Sequence, residues 1–290
     1  MKNDRNKGII CIIVSAFSFA CMNLFIKLAG DLPSFEKSFF RNLVAFIFAV
    51  ILIIKSKEKL NITGYTVAPL LVRSIAGTIG IICNFYAVDH LVIADASMLN
   101  KLSPFFVLVF SLIILKEKIK IYQGICVILA FIGSLFIIKP TGALLHNPSS
   151  IIGMLGGMMA GLAYAFVRIA SKRGVRGPVI VAFFSGFSTL VTLPFMIATF
   201  KPMNSTQLGF LILTGIAATG GQFGITSAYS FAPAKEVSVY DYTQIIFSTI
   251  LGFIFLREIP DIWSFVGYGV IILASVVMFI LNNRKVQEEN

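Results

Sequence analysis

The sequence predicts an all-α integral membrane protein of ten transmembrane helices, arranged as two inverted five-helix repeats. Three observations predict it. Of 290 residues, 57% are hydrophobic and only 13% charged, where soluble domains carry about 25% charged residues. The apolar residues come in runs of about 20, the length that crosses a bilayer. Two long stretches of the chain also align with each other at one offset. A soluble fold of this length has too little interior to hide so much apolar surface. A water-soluble enzyme, a disordered chain and a nucleic-acid module are therefore excluded.

The first apolar run, 8–29, is longer than a signal-peptide core of about 7–15 residues, and no clear cleavage site follows it, so it is expected to be a span. The next runs are 35–54, 67–87, 92–115, 121–138, 151–171, 178–200, 207–231, 234–256 and 263–282. The connections are short, and no separate soluble domain fits between them. The boundaries are tightest near 87–92 and 231–234, where successive runs almost touch.

Charge then orients the spans. With the N-terminus in the cytoplasm, 15 of the Lys and Arg residues fall on the inner side. They are Lys2, Arg5 and Lys7; Lys55, Lys57 and Lys59; Lys116, Lys118 and Lys120; Lys172, Arg173 and Arg176; Lys235; Arg284 and Lys285. Lys37, Lys139, Lys201 and Arg257 fall on the outer side. Cytoplasmic loops carry the positive excess, so both termini are expected in the cytoplasm of a cell-membrane protein. The same asymmetry accounts for the net charge of +11 with no nucleic acid as partner.

Cys11, Cys21, Cys83 and Cys126 lie in apolar stretches and read as small packing residues. No CxxC or HxxxH spacing occurs, and His90 and His146 are expected in separate loops. Neither a metal site nor a cofactor is expected.

The duplication is legible in residues. Ala76–Val88 aligns with Ala217–Tyr229 at an offset of 141, which carried forward pairs Asp95 with Glu236, Asn100 with Asp241 and Glu117 with Glu258. The first spans of the halves align at 145, pairing Lys27 with Lys172. The expected repeats are 8–138 and 151–282. Five spans is an odd number, so the second repeat enters the membrane in the opposite sense. Inverted repeats recur in secondary transporters, with the cargo site at their interface near midplane.

The stretch LVIADASMLNKLSPFFVLVFSLIILKEKIKIYQGICVILAFIGSLFII (91–138) resembles the signature region of EamA-type transporters of the drug/metabolite transporter superfamily. APAKEVSVYDYTQIIFSTILGFIFLREIPDIWSFVGYGVIIL (232–273) resembles the same region in a second copy. The second copy departs where Gln244-Ile245 replaces Ser103-Pro104. The resemblance implies ten helices and alternating-access transport of small metabolites, without fixing the substrate. FYAVDHLVIADASML (85–99) also resembles a subgroup that contains S-adenosylmethionine uptake carriers.

An ionisable side chain at mid-membrane costs about 2.5–3.5 kcal/mol on insertion scales, so each one inside a span needs a reason. Lys101 lies near midplane beside Asn100 and just before Ser103-Pro104. Pro104 lacks an N–H, which is expected to kink the span and free the Asn100 carbonyl. Asp241 is the repeat equivalent of Asn100, with Tyr240, Tyr242 and Gln244 around it. It is expected either to pair with Lys101 across the repeat interface or to act as a proton-coupling carboxylate. Arg41 and Arg73 lie about six residues into their spans, on opposite sides of the membrane, and are candidate cargo contacts. Arg168 aligns with Asn23 and is expected on the same pocket wall. Tyr86, Tyr229, Tyr240 and Tyr242 are expected to stack on the cargo. Lys27 and Lys172 are expected to be interface anchors, and Asp95 and Glu236 to be first-turn acids that suit the helix dipole. The glycine steps Gly153-Gly157-Gly161, Ala76-Gly80 and Gly220-Gly224 are expected to be packing seams.

These residues point to a non-enzymatic secondary carrier of a small polar or zwitterionic metabolite, driven by protons or by exchange. The cationic excess favours a cargo bearing carboxylate or phosphate. A carrier of S-adenosylmethionine or nucleoside-type metabolites is the alternative within that class. A lipid enzyme would need a catalytic cluster near an interface, and none is seen. A channel would show a polar stripe along several helices, whereas the polar residues concentrate in the fourth and ninth spans. The oligomeric state is left open by the glycine steps.

Overall fold

A computed structural model describes residues 2–56, 62–90, 99–138, 148–257 and 259–288. The order of helices is α1 (Lys2–Leu28), α2 (Ser34–Ser56), α3 (Gly64–His90), α4 (Ser103–Ile113), α5 (Ile121–Ile138) and α6 (Ser149–Lys172). There follow α7 (Gly177–Ala198), α8 (Ser205–Phe231), α9 (Ala234–Val237), a 3₁₀ turn (Ser238–Tyr242), α10 (Thr243–Leu256) and α11 (Ile262–Glu288). Among the described residues, nine helices are long and apolar enough to cross a membrane, with Ala234–Leu256 taken as one. α4 is a shorter apolar tenth, and the preceding residues 91–98 lie outside the described range, as do Lys57, Lys59, Asp95, Lys139, His146 and Glu258.

The halves pack reciprocally. α1 lies on α8 as α3 lies on α6, α4 meets α6 as α10 meets α1, and α2 with α7 and α5 with α11 pair directly. Exchanging the halves maps this set of contacts onto itself, as an inverted duplication requires. The backbone carries the same signature. Gly30 and Gly174, at φ 74 and 80, each stand two residues beyond the end of α1 or α6. Lys116 and Arg257, at φ 54 and 58, are related by the offset of 141. These are the four described residues with left-handed backbone, and they form two repeat-equivalent pairs. A non-glycine residue rarely adopts that conformation, so the second pair is a retained turn rather than a generic loop.

The glycine steps are seams. A Cβ at Gly80 would lie 3.2 Å from the Ala160 amide of α6, and one at Gly224 would lie 2.8 Å from the Cys11 carbonyl of α1. Without side chains, α3–α6 and α1–α8 approach backbone to backbone, where dispersion contacts replace the missing hydrophobic drive inside lipid. The Ser15 hydroxyl of α1 donates to the Gly221 carbonyl at 2.7 Å across the second seam.

Two expectations are corrected here. The fourth and ninth spans are not continuous helices. Pro104 sits in the first turn of α4 instead of kinking a long helix, the place where its missing N–H costs least. In the second copy the 3₁₀ turn makes the break with no proline. His90, expected in a loop, lies in the last turn of α3.

Candidate functional site

The two breaks face each other. Around Lys101 the backbone tightens: the Phe105 amide bonds the Leu102 carbonyl at 3.0 Å, which leaves the Lys101 carbonyl without the helix partner one residue further back. The Tyr242 hydroxyl donates to that carbonyl at 3.0 Å. The carbonyl with a partner across the repeats is thus that of Lys101, not the expected one of Asn100. One residue before Tyr242, the Asp241 carboxylate receives Lys101 Nζ at 3.2 Å, and both side chains are under 10% exposed. Gln244 Oε1 accepts from the same ammonium at 2.7 Å. Asn100 donates to Asn84 of α3 at 3.0 Å. A low dielectric strengthens each contact and makes an unpaired partner costly.

Asn84, Asn100, Lys101, Asp241 and Gln244 line a cavity of about 620 Å³, together with Arg41 and Arg73. Arg41 and Arg73 were expected on opposite sides of the membrane. Their long side chains instead reach the same cavity from antiparallel helices. Arg73 lies with its guanidinium carbon 3.8 Å from the centre of the Phe184 ring, and its Nη2 donates to Gln222 at 3.0 Å. Arg41 donates to Met22 Sδ and to Asn42 Oδ1, both at 3.2 Å. Asn42 is held in turn by Ser188 of α7 at 3.1 Å. Gly77 gives Arg73 its room, because a Cβ there would collide with the guanidinium and would stand 2.7 Å from Phe184.

The cavity runs from this level to the face opposite the termini, where Lys27, Gly30, Lys37 and Leu256 line it. Lys27 therefore lines the cavity where a simple interface anchor was expected. The terminal face is closed by polar contacts. Glu117 is 3.7 Å from Arg168 Nε and 3.1 Å from Lys172 Nζ. Arg168 also donates to the Tyr229 and Ser230 carbonyls at 3.2 and 2.7 Å. Lys235 bonds the Lys118 carbonyl at 2.8 Å.

The remaining sequence candidates part company with the cavity. Arg168, expected on the same wall as Asn23, points to the terminal-face cluster. Tyr86 is 38% exposed on the periphery and stacks on His90 with centroids 4.0 Å apart. Tyr229, Tyr240 and Tyr242 are buried in the core, and none is on the cavity lining. The lining aromatics that sequence reasoning missed are Phe19, Phe85, Tyr164 and Phe184. Tyr164 stacks on Tyr229 at 5.4 Å. Gln222 and Asn84 were also missed. An amide in an apolar span was the available signal for both.

Duplicated helices that meet at a charged, half-open central cavity define a membrane transport protein. The chain belongs to the EamA-like transporter family, whose model matches residues 6–139 and again 151–280. It is 32% identical to the pseudopaline exporter CntI of Pseudomonas aeruginosa, over 93% of this chain and 95% of that one. It is 26% identical to human solute carrier family 35 member G1, over 93% of this chain and 78% of that protein. It is 23% identical to the S-adenosylmethionine uptake transporter of Rickettsia prowazekii, over 96% and 93% of the two chains. A solved crystal structure at 15% identity superimposes with a TM-score of 0.80 over 96% of this chain and 98% of its own, a likeness of fold.

Proposed function

We propose that this protein is a secondary carrier that moves a small polar or zwitterionic metabolite by alternating access, without catalysing a reaction. One observation supports the reading above others: the Lys101–Asp241 pair joins the two helix breaks on the wall of the central cavity. Breaks of this kind expose backbone groups where a cargo can use them. Lys101, Asn100, Asp241, Gln244, Arg41 and Arg73 are the proposed cargo contacts, with Tyr242 positioning Lys101. Asp241 is the coupling candidate if protons drive transport, and an exchange gradient is the other source. The transporter sits in the cell membrane with its termini in the cytoplasm, so the cavity faces outward. An S-adenosylmethionine-type cargo is the less favoured alternative, because five cations and one carboxylate line the cavity and would repel a sulfonium.

Reconstituted vesicles test the reading through counterflow of labelled cargo. Lys101→Ala and Asp241→Asn should each abolish flux while the protein still inserts. Normal flux in both variants would overturn the site. Loss of pH-gradient dependence in Asp241→Asn would assign proton coupling to that carboxylate, and retained dependence would remove it from the role. Non-saturable flux would favour a channel. For orientation, cysteines placed at Lys59 and Lys139 should label from opposite sides.

A further inference from the structure

Arg41 and Arg73 are 6% and 1% exposed, yet among the described residues neither has a carboxylate within ion-pair distance. Their partners are all neutral: a thioether, two amide oxygens and a phenyl face. Arg73 Nε is buried with no acceptor at all. The contrast with Lys101 is direct, because its ammonium is answered by Asp241 at 3.2 Å. A desolvated guanidinium without a counter-anion is costly, and two on one cavity wall repel each other. Both line the cavity together with Tyr164. Guanidinium is also the group best shaped for a planar, two-oxygen acceptor.

We infer that Arg41 and Arg73 form the seat for a carboxylate of the cargo, so that the transported molecule is a carboxylic acid. This rests on the carrier reading and narrows its cargo. The Lys101–Asp241 pair lines the same cavity, its ammonium already answered by its own carboxylate. The carboxylate docks on the arginines while the pair and its neighbours meet the rest of the cargo. A net positive cavity then becomes near neutral when loaded by a molecule with several acid groups. Gly77 and Phe184 are positioning residues, holding the Arg73 guanidinium against α7 at the cavity wall.

The full chain in lipid nanodiscs tests this by thermal stabilisation at constant ionic strength. The probes are succinate, citrate and glutamate against succinamide, glutaramide and inorganic phosphate. Carboxylates should raise the melting temperature saturably, and the neutral amides should not. Arg41→Gln and Arg73→Gln should weaken the apparent affinity about tenfold or more, the scale of one charge-assisted hydrogen bond. Arg73→Lys should retain part of it. Gln222→Glu places an internal carboxylate 3.0 Å from Arg73 without removing the arginine. It should fold at least as well as the native chain and lose the carboxylate response. The seat is overturned by any of four results: no wild-type response to any carboxylate, an equal response to succinamide, an equal response to phosphate, or a response that persists in Gln222→Glu. Arginine-dependent binding with no flux in vesicles would instead remove the carrier reading and leave the seat. Flux of a neutral cargo unchanged by Gln222→Glu would remove the seat and leave the carrier.

Discussion

The break before α4 and the break between α9 and α10 occupy equivalent places in the two repeats and are held by different chemistry. In the first, Pro104 starts the helix and Lys101 carries the charge. In the second, Ile245 stands at the proline's place, the backbone winds as a 3₁₀ turn, and the charge is Asp241. Each break supplies what the other lacks: an ammonium and an open carbonyl from one, a carboxylate and a phenol from the other. Duplication thus kept a break at equivalent places while the side chains diverged into complementary signs. Two identical breaks would have put like charges face to face at mid-membrane.

Removing one side of that complementarity is expected to have the largest effect. Lys101→Met leaves a buried carboxylate unanswered and should cost about 3–5 kcal/mol, read as a lower unfolding midpoint in nanodiscs. Lys101→Met with Asp241→Leu should recover most of the stability and none of the flux. Recovery of flux as well would mean that the pair serves only to hold the breaks together. Tyr242→Phe removes the donor from the Lys101 carbonyl and should cost about 1–3 kcal/mol with reduced but measurable counterflow. An unchanged midpoint would show that the carbonyl has another partner. Gly77→Ala crowds both the Arg73 guanidinium and the buried Phe184 ring, and should reduce flux several-fold and lower the midpoint by about 1 kcal/mol or more. The smallest effect is expected from Pro104→Ile, which copies the second repeat into the first. The break should persist, with a loss under about 1 kcal/mol, because proline here acts mainly by restricting the unfolded chain. A large loss would show that the first break depends on its proline.

A second contrast separates the two faces. Glu117, Arg168, Lys172 and Lys235 tie the terminal face across both repeats. On the opposite face Lys201 pairs with Asp31 at 3.1 Å, at the periphery. The terminal-face contacts join the α4–α5 connection to α6 and to α9.

Much of this was legible in the residues. Span positions are a local property, since about 20 apolar residues cross a bilayer whatever they pack against. The offset of 141 survives because each half must supply the same helices. Lys101, Asp241, Arg41 and Arg73 stood out because charge in an apolar run has a cost that demands a partner. Arg168 failed as a pocket residue for the complementary reason. It lies one helical turn from the end of α6, and a long side chain there follows whichever partner is nearest, in this case Glu117 and two carbonyls. The tyrosines failed because an aromatic in a span carries no sign of which face its helix turns inward.

By itself, then, the sequence determined that the chain lives in a membrane, that it is doubled, and which few side chains are too polar for lipid. These follow from composition and spacing, which are additive along the chain. Only the tertiary structure decided which of those side chains share one cavity. That depends on the register of helices far apart in sequence, set by the glycine seams of α3 with α6 and of α1 with α8. It brings Lys101 to Asp241 and leaves Arg41 and Arg73 facing the cavity without a carboxylate of their own.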